Sequence, residues 1–304
     1  MRMARRDRLA LALLALLLVL PLILGALGEG FMLGVATRIL AFAIAALALD
    51  LVLGYGAMVS FGHAAYLGIG AYVTAILART GVTEIMVQML AAMAGAALFA
   101  AVTGAIGMRT RGIYFIMITL AFSQMAFFFF VSFSALGGDD GTQLAAGSSL
   151  LGTRALASTT GLYLFTVTLL AVLYVLARRL TDSRFGRMLM GTRENMVRMR
   201  AIGVSPFPFR LTAYVISAAV TSLAGVIMAN QAGFVSPALM NWHRSGELIV
   251  FVVLGGPGTL VGPIIGAIAA MSFEEGLAAL TQHWRLGFGL VLIAAALRPK
   301  GWWR

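Results

Sequence analysis

Five ionisable residues, Arg38, Asp50, Glu247, Glu274 and Glu275, stand inside otherwise apolar runs of this 304-residue chain. Charges so placed are costly in hydrocarbon, so each is a functional-site candidate by default. Arg38 and Asp50 are twelve residues apart, about 18 Å along one helix, and do not pair with each other. For Asp50 and Glu247 the competing reading is a place at the inner and outer membrane interfaces. A second group follows Asp50 in GYGAMVSFGHAAYLGIGAY (54–72), with five glycines, Ser60 and His63. Small residues let membrane helices approach closely, and serine bonds across them. The stretch is therefore either a tightly packed helix–turn–helix or an interrupted element lining a path. His63 taken alone reads as a hydrogen-bonded interior histidine. The third group is GGDDG (137–141), where Gly137, Gly138 and Gly141 surround Asp139 and Asp140. Two carboxylates fall short of the roughly six to eight oxygens Ca²⁺ takes, so a turn that orders the outer mouth or meets a partner is the better reading.

Catalysis finds no support. The chain has no HExxH, no GxSxG and no Walker-type glycine-rich lysine loop. It has no cysteine, which excludes disulfides and thiolate metal sites. The reading is of a protein that is not an enzyme and holds no cofactor or metal of its own; ATP, if used, is bound by another chain.

These residues need elements to position them, and composition says which kind. Hydrophobic residues make up 61% and charged residues 11% of the chain, and mean hydropathy is +0.97; a soluble domain carries about a quarter charged residues. Apolar runs fall at about 9–27, 31–53, 61–78, 85–107, 112–136, 161–180, 211–232, 247–255, 261–282 and 286–297. About 20 apolar residues cross a hydrocarbon core as helix. The expected fold is all-α, a polytopic transmembrane helical bundle of about eight to ten spans, forming one domain over 1–304. The first run has the basic head of a signal peptide but is long enough to span, so it is read as an uncleaved helix. The run 247–282 is interrupted by LGGPGTLVGP (254–263). Irregular backbone at membrane depth is tolerated only where protein or a water-filled cavity satisfies it. A broken or re-entrant Gly-rich element is therefore expected near 254–263.

With the N-terminus inside, seventeen Lys and Arg fall in the inner connections and four in the outer ones, leaving Arg38 within a segment. That asymmetry sets the orientation and accounts for the net charge of +11 without nucleic acid. Eight of the inner cations lie between Arg178 and Arg210, against Asp182 and Glu194. On a helix, Phe185, Met188, Leu189, Met196, Met199 and Ile202 share an arc of about 140°, flanked by Arg187, Arg193, Arg198 and Arg200. Gly191 weakens one continuous helix, and Gly203 with Pro206 and Pro208 ends it. This loop either lies against anionic lipid or is offered to a cytoplasmic partner, its methionines supplying adaptable contact.

Six stretches in order carry a resemblance: 54–72 above, RGIYFIMITLAFSQM (111–125), GGDDG (137–141), SRFGRMLMGTRENMVRMRAIGVSP (183–206), AYVISAAVTSLAGVIMA (213–229) and VVLGGPGTLVGPIIGA (252–267). Together they resemble the permease subunits of branched-chain amino-acid ABC importers, of the LivM type. The chain departs from that pattern at Met196–Arg200, where Ala and acidic residues are usual, and at Ala57-Met58, where Gly-Gln is common. The resemblance implies a multi-pass protein of the bacterial inner membrane, N-terminus cytoplasmic, in contact with membrane lipid. It implies a second permease subunit, two ATP-binding subunits carrying ATP and Mg, and a periplasmic substrate-binding protein. Transport would proceed by alternating access, without chemistry in this chain. Coupling to the ATPase would fall to Arg184, Phe185, Gly186, Arg187, Arg193, Glu194, Asn195 and Gly203 in the loop 183–206. The outer loop 137–160 would help to receive the binding protein. Candidates for the substrate path are Asp50, Tyr55, Ser60, Gly62, His63, Tyr114 and Thr119. The implied substrate is a branched-chain or other hydrophobic amino acid. Urea, amides or aromatic acids stay open within the same family, and an ion-coupled secondary transporter is the rival outside it.

Overall fold

The computed structural model describes residues 13–21, 30–110, 112–280 and Gly289. The basic N-terminal head, Arg111, Arg285 and the expected last span at 286–297, apart from Gly289, lie outside the described residues. The chain is helical at 13–21 (α1), then forms α2 (Gly30–Leu53), α3 (His63–Arg79), α4 (Ile85–Gly107), α5 (Ile113–Ser132) and α6 (Thr159–Asp182). There follow α7 (Arg184–Glu194), α8 (Met196–Ala201), α9 (Pro206–Ala232), α10 (Trp242–Gly255) and α11 (Val261–Leu280). Among the described residues six helices, α2, α4, α5, α6, α9 and α11, are long and apolar enough to cross a membrane. The all-α polytopic bundle expected from composition is what forms, because a helix satisfies its own backbone where no water can. The 17-residue α3 and the 14-residue α10 are shorter, about 25 and 21 Å long. Each follows a stretch that leaves regular helix.

Helices α2 and α9 form the centre. From Leu40 to Asp50 no α2 side chain is more than 2% exposed. Such a helix is buried all round and shows no apolar stripe. Its alanines let α6, α9, α10 and α11 close in on it. At the crossing of α3 and α9, a Cβ on Gly225 would collide with the Leu67 carbonyl, so small residues set the approach. Helix α5 is peripheral. Its buried residues, Phe115, Thr119, Ser123 and Ala126, make one stripe, and Met117, Met125, Phe128 and Phe129 are exposed.

The loop after α5 is stitched across one end of the bundle. Its β1 (Thr142–Gln143) pairs antiparallel with β2 (Phe234–Val235), Thr142 opposite Val235. Arg79 donates to the Ala135 carbonyl at 2.6 Å and to Thr142 Oγ1. Glu84, just before α4, accepts from the amides of Leu151 at 2.8 Å and Gly152 at 3.2 Å. Those two amides hold its carboxyl below the usual carboxylate range. A value depressed by folding means that the clasp is complete above the ordinary carboxylate range and is lost as pH falls through the folded value. We expect the Leu151 and Gly152 amides to lose protection, measured against their intrinsic exchange rate at each pH, on acidification, and Glu84→Gln to show reduced protection already at neutral pH. Hydrogen exchange with mass spectrometry checks this, and amides unmoved by both would contradict it.

Candidate functional site

Two interruptions of regular helix lie against the central pair. The first is 54–62, between α2 and α3. It is deeply packed: Met58, Ser60, Gly62 and His63 are buried. Side chains of three other helices bond to it. The Phe61 amide donates to Thr119 Oγ1 of α5 at 3.1 Å, and the Gly62 amide to Ser60 Oγ at 3.1 Å. Ser60 Oγ in turn lies 3.4 Å from Tyr214 Oη of α9. Ser245 of α10 closes the set: its hydroxyl accepts from the Ala64 amide at 2.9 Å and donates to the Phe61 carbonyl at 2.7 Å. The stretch 54–72 forms a tightly packed helix–turn–helix, α2 and α3 joined by the buried connection 54–62. Ala57 sits at φ +50°, a left-handed conformation that a glycine adopts freely. Ser245→Ala would leave a buried amide and a buried carbonyl without partners at once, each costing about 1–3 kcal/mol. We expect a melting temperature lowered by several degrees in detergent, and a thermal melt unchanged by Ser245→Ala would contradict that role.

His63 is fully buried, with Nε2 2.9 Å from Ser217 Oγ. Ser217 donates its one hydroxyl proton to the Ala48 carbonyl, so Nε2 is the donor and carries the ring proton. The ring stands edge-on to Tyr66 and Tyr214, with centroids 5.5 and 5.9 Å away. The structure thus brings Ser60, Gly62, His63 and Thr119 into one cluster. Tyr55 sits half-buried where the chain leaves α2, and Tyr114 stands apart on α5, 71% exposed. Tyr214, Ser217 and Ser245 were not singled out by sequence reasoning. They are lone hydroxyls in apolar helices, and no spacing marks them.

The second interruption is Gly256–Leu260, between α10 and α11, as the broken element near 254–263 requires. Asp50 is fully buried at the last turn of α2. Its Oδ1 accepts from the Gly258 amide at 2.7 Å and its Oδ2 from the Leu260 amide at 3.0 Å. The carboxylate thus supplies acceptors to backbone that has left the helix, which is why a charge is kept there. Gly54 allows the approach, since a Cβ on it would collide with both Asp50 and the Gly258 amide. Leu260 has φ +60°; left-handed non-glycine residues store about 1–3 kcal/mol and mark segments held by their surroundings. Onto this junction comes Arg193, at the end of α7, whose Nη1 donates to the Gly54 carbonyl. Arg38, within α2, pairs instead with Glu275 of α11, and Arg244 with Glu247, at 2.7 Å.

The loop 183–206 departs from one amphipathic helix. It forms α7 and α8, and the break falls at Asn195, whose side chain caps α8 by accepting from the Arg198 amide at 2.9 Å. Gly191 does not stop α7; its missing side chain makes room for Met199 of α8. Pro206 and Pro208 do not end a helix but open α9, where a missing N–H costs nothing in the first turn. Because α8 is separate, Ile202 leaves the buried arc and is 66% exposed, whereas Leu189 and Met199 are buried. Gly186 packs against the Thr181 carbonyl, and the Phe185 ring centroid lies 5.8 Å from that of Phe209. Arg187 donates to the Asp182 carbonyl at 2.8 Å. Arg184, Glu194 and Gly203 are exposed, and Gly203, at φ +83°, follows the end of α8. At the opposite end, Gly137, Gly138 and Gly141 take φ of +90°, +55° and +78°, and Asp139 and Asp140 are exposed at the tip.

Comparison with known proteins bears on these features together. The family model described as the permease component of branched-chain amino-acid transport systems matches residues 31–297. The high-affinity branched-chain amino acid transport system permease protein LivM of Salmonella typhimurium is 28% identical over 292 residues, 88% of this chain and 68% of that protein. LivM of Escherichia coli is 29% identical over 294 residues, with the same two shares, 88% and 68%. The autoinducer 2 import system permease protein LsrC of Photorhabdus laumondii is 28% identical over 143 residues, 44% of this chain and 42% of that protein. No solved structure gives a significant match.

Proposed function

Because this chain belongs to the branched-chain amino-acid transport permease family, we propose that it is the membrane subunit of an ATP-driven importer for branched-chain or other hydrophobic amino acids. Its 1–304 span works as one membrane domain with the N-terminus cytoplasmic, beside a second permease subunit. Two ATP-binding subunits, carrying ATP and Mg, act on α7 and α8, and a periplasmic binding protein delivers substrate to the 137–160 loop. The observation that carries this reading is the tie from Arg193 of α7 to the Gly54 carbonyl, beside the Asp50 carboxylate that accepts from Gly258 and Leu260. A force on α7 reaches both helix interruptions through it. Partner and substrate must bind the inward and outward states with different affinity, or no cycle results.

The test uses vesicles holding the assembled importer, with ion gradients collapsed by ionophores. Uptake of leucine, isoleucine or valine is expected to require ATP and the binding protein. Uptake that needs only a gradient overturns the reading. A preference for urea, short amides or aromatic acids in the same assay would keep the importer and replace its substrate.

A further inference from the structure

At the end of the bundle that carries β1 and β2, a cavity of about 400 Å³ opens between α2, α9, α10 and α11. That is within the roughly 300–1,000 Å³ of small-molecule sites. Its wall holds two arginines, Arg38 and Arg244, and two glutamates, Glu247 and Glu274. The rest is largely apolar, with Phe42, Met228, Leu239 and Phe251. The Arg244 guanidinium lies 5.7 Å above the Phe42 ring. Arg38 Nε is buried without a hydrogen-bond partner.

Half-exposed ion pairs contribute little to stability, so stability does not explain this concentration of charge, of which Arg38 and Glu274 lie in helices long and apolar enough to span. Charge at such positions is retained where a polar solute must be met. Arg38 is paired with Glu275 and Arg244 with Glu247, so the cavity is met by both signs of charge side by side. They suit one ligand carrying both charges. We infer that this cavity binds a small zwitterion with an apolar body, its anionic group on Arg38 and Arg244, its ammonium on Glu247 and Glu274, and its hydrocarbon on Phe42 and Leu239. A free amino acid and an ethanolamine lipid headgroup share that chemistry. The inference deepens the importer reading and rests on it for the choice of leucine as probe.

The test titrates radiolabelled leucine onto the assembled importer in phosphatidylglycerol nanodiscs, without ATP or binding protein. Saturable binding is expected, weakened about tenfold or more by Arg244→Gln or Glu247→Gln, since bonds to charged groups are worth about 1.5–3 kcal/mol. Leu239→Trp, which fills the space, is expected to do the same. Isocaproate, lacking the ammonium, and isoamylamine, lacking the carboxylate, should not compete. Nanodiscs with added phosphatidylethanolamine separate the two sources. Leucine binding that persists there assigns the free amino acid; leucine excluded by retained phosphatidylethanolamine, which Arg244→Gln releases, assigns the headgroup. No binding of either zwitterion, or leucine binding that all three variants leave unchanged, overturns the inference. ATP-driven leucine uptake is followed in parallel. Variant-sensitive binding without any wild-type uptake removes the importer reading and leaves the cavity standing. Normal uptake without binding removes the cavity alone.

Discussion

Asp50→Ala is expected to abolish ATP-driven uptake and to destabilise the permease. The carboxylate is fully buried and is the acceptor for the Gly258 and Leu260 amides. Removing it strands two buried donors, each at about 1–3 kcal/mol. The segment between α10 and α11 would then lose its register against α2. Asp50→Asn keeps the shape and one acceptor oxygen but turns an NH₂ toward the other amide, so its melting temperature should fall between those of wild type and alanine. Uptake and thermal melts of the three proteins decide the matter. Wild-type transport by Asp50→Ala, with an unchanged melt, would remove Asp50 from the working parts.

Arg193→Glu should separate ATP hydrolysis from transport. The Arg193 guanidinium donates to the Gly54 carbonyl; a carboxylate there would face that carbonyl and the nearby Asp50 instead. We expect uptake to fall about tenfold or more, an effect of about 1.4 kcal/mol or above, while ATP turnover of the assembled complex continues. Glu194→Lys acts differently, since Glu194 is exposed beside it. It should weaken capture of the ATP-binding subunit, whereas Arg193→Glu should leave capture intact. Pull-down of the ATPase with each variant, read next to uptake, distinguishes an inward tie from an outward docking contact. Normal coupling in both variants would dismiss α7 as the coupling element.

Much of the fold was legible because hydrocarbon allows few alternatives. The apolar runs at 31–53, 85–107 and 261–282 match α2, α4 and α11 closely, since a spanning backbone must bond within itself. The break near 254–263 was legible from its glycines and prolines. The loop 183–206 was legible only in part: its amphipathic pattern was real, but the cap by Asn195 split it, and Pro206 opened the next helix instead of closing the last. Ser217 and Ser245 were invisible as site residues, because a hydroxyl in an apolar helix looks the same whether it bonds its own turn or a neighbour.

What the sequence determined by itself was the class of element, which follows from composition and local order, and the family, which its motifs resemble and the family model matches. What the tertiary structure alone decided was which charge meets which group: Arg38 with Glu275, and Asp50 with amides more than two hundred residues away. The physical reason lies in α2 itself. A helix apolar on every side has no stripe to say which neighbour it faces, and only close packing with α9, α10 and α11 fixes where its two charges point.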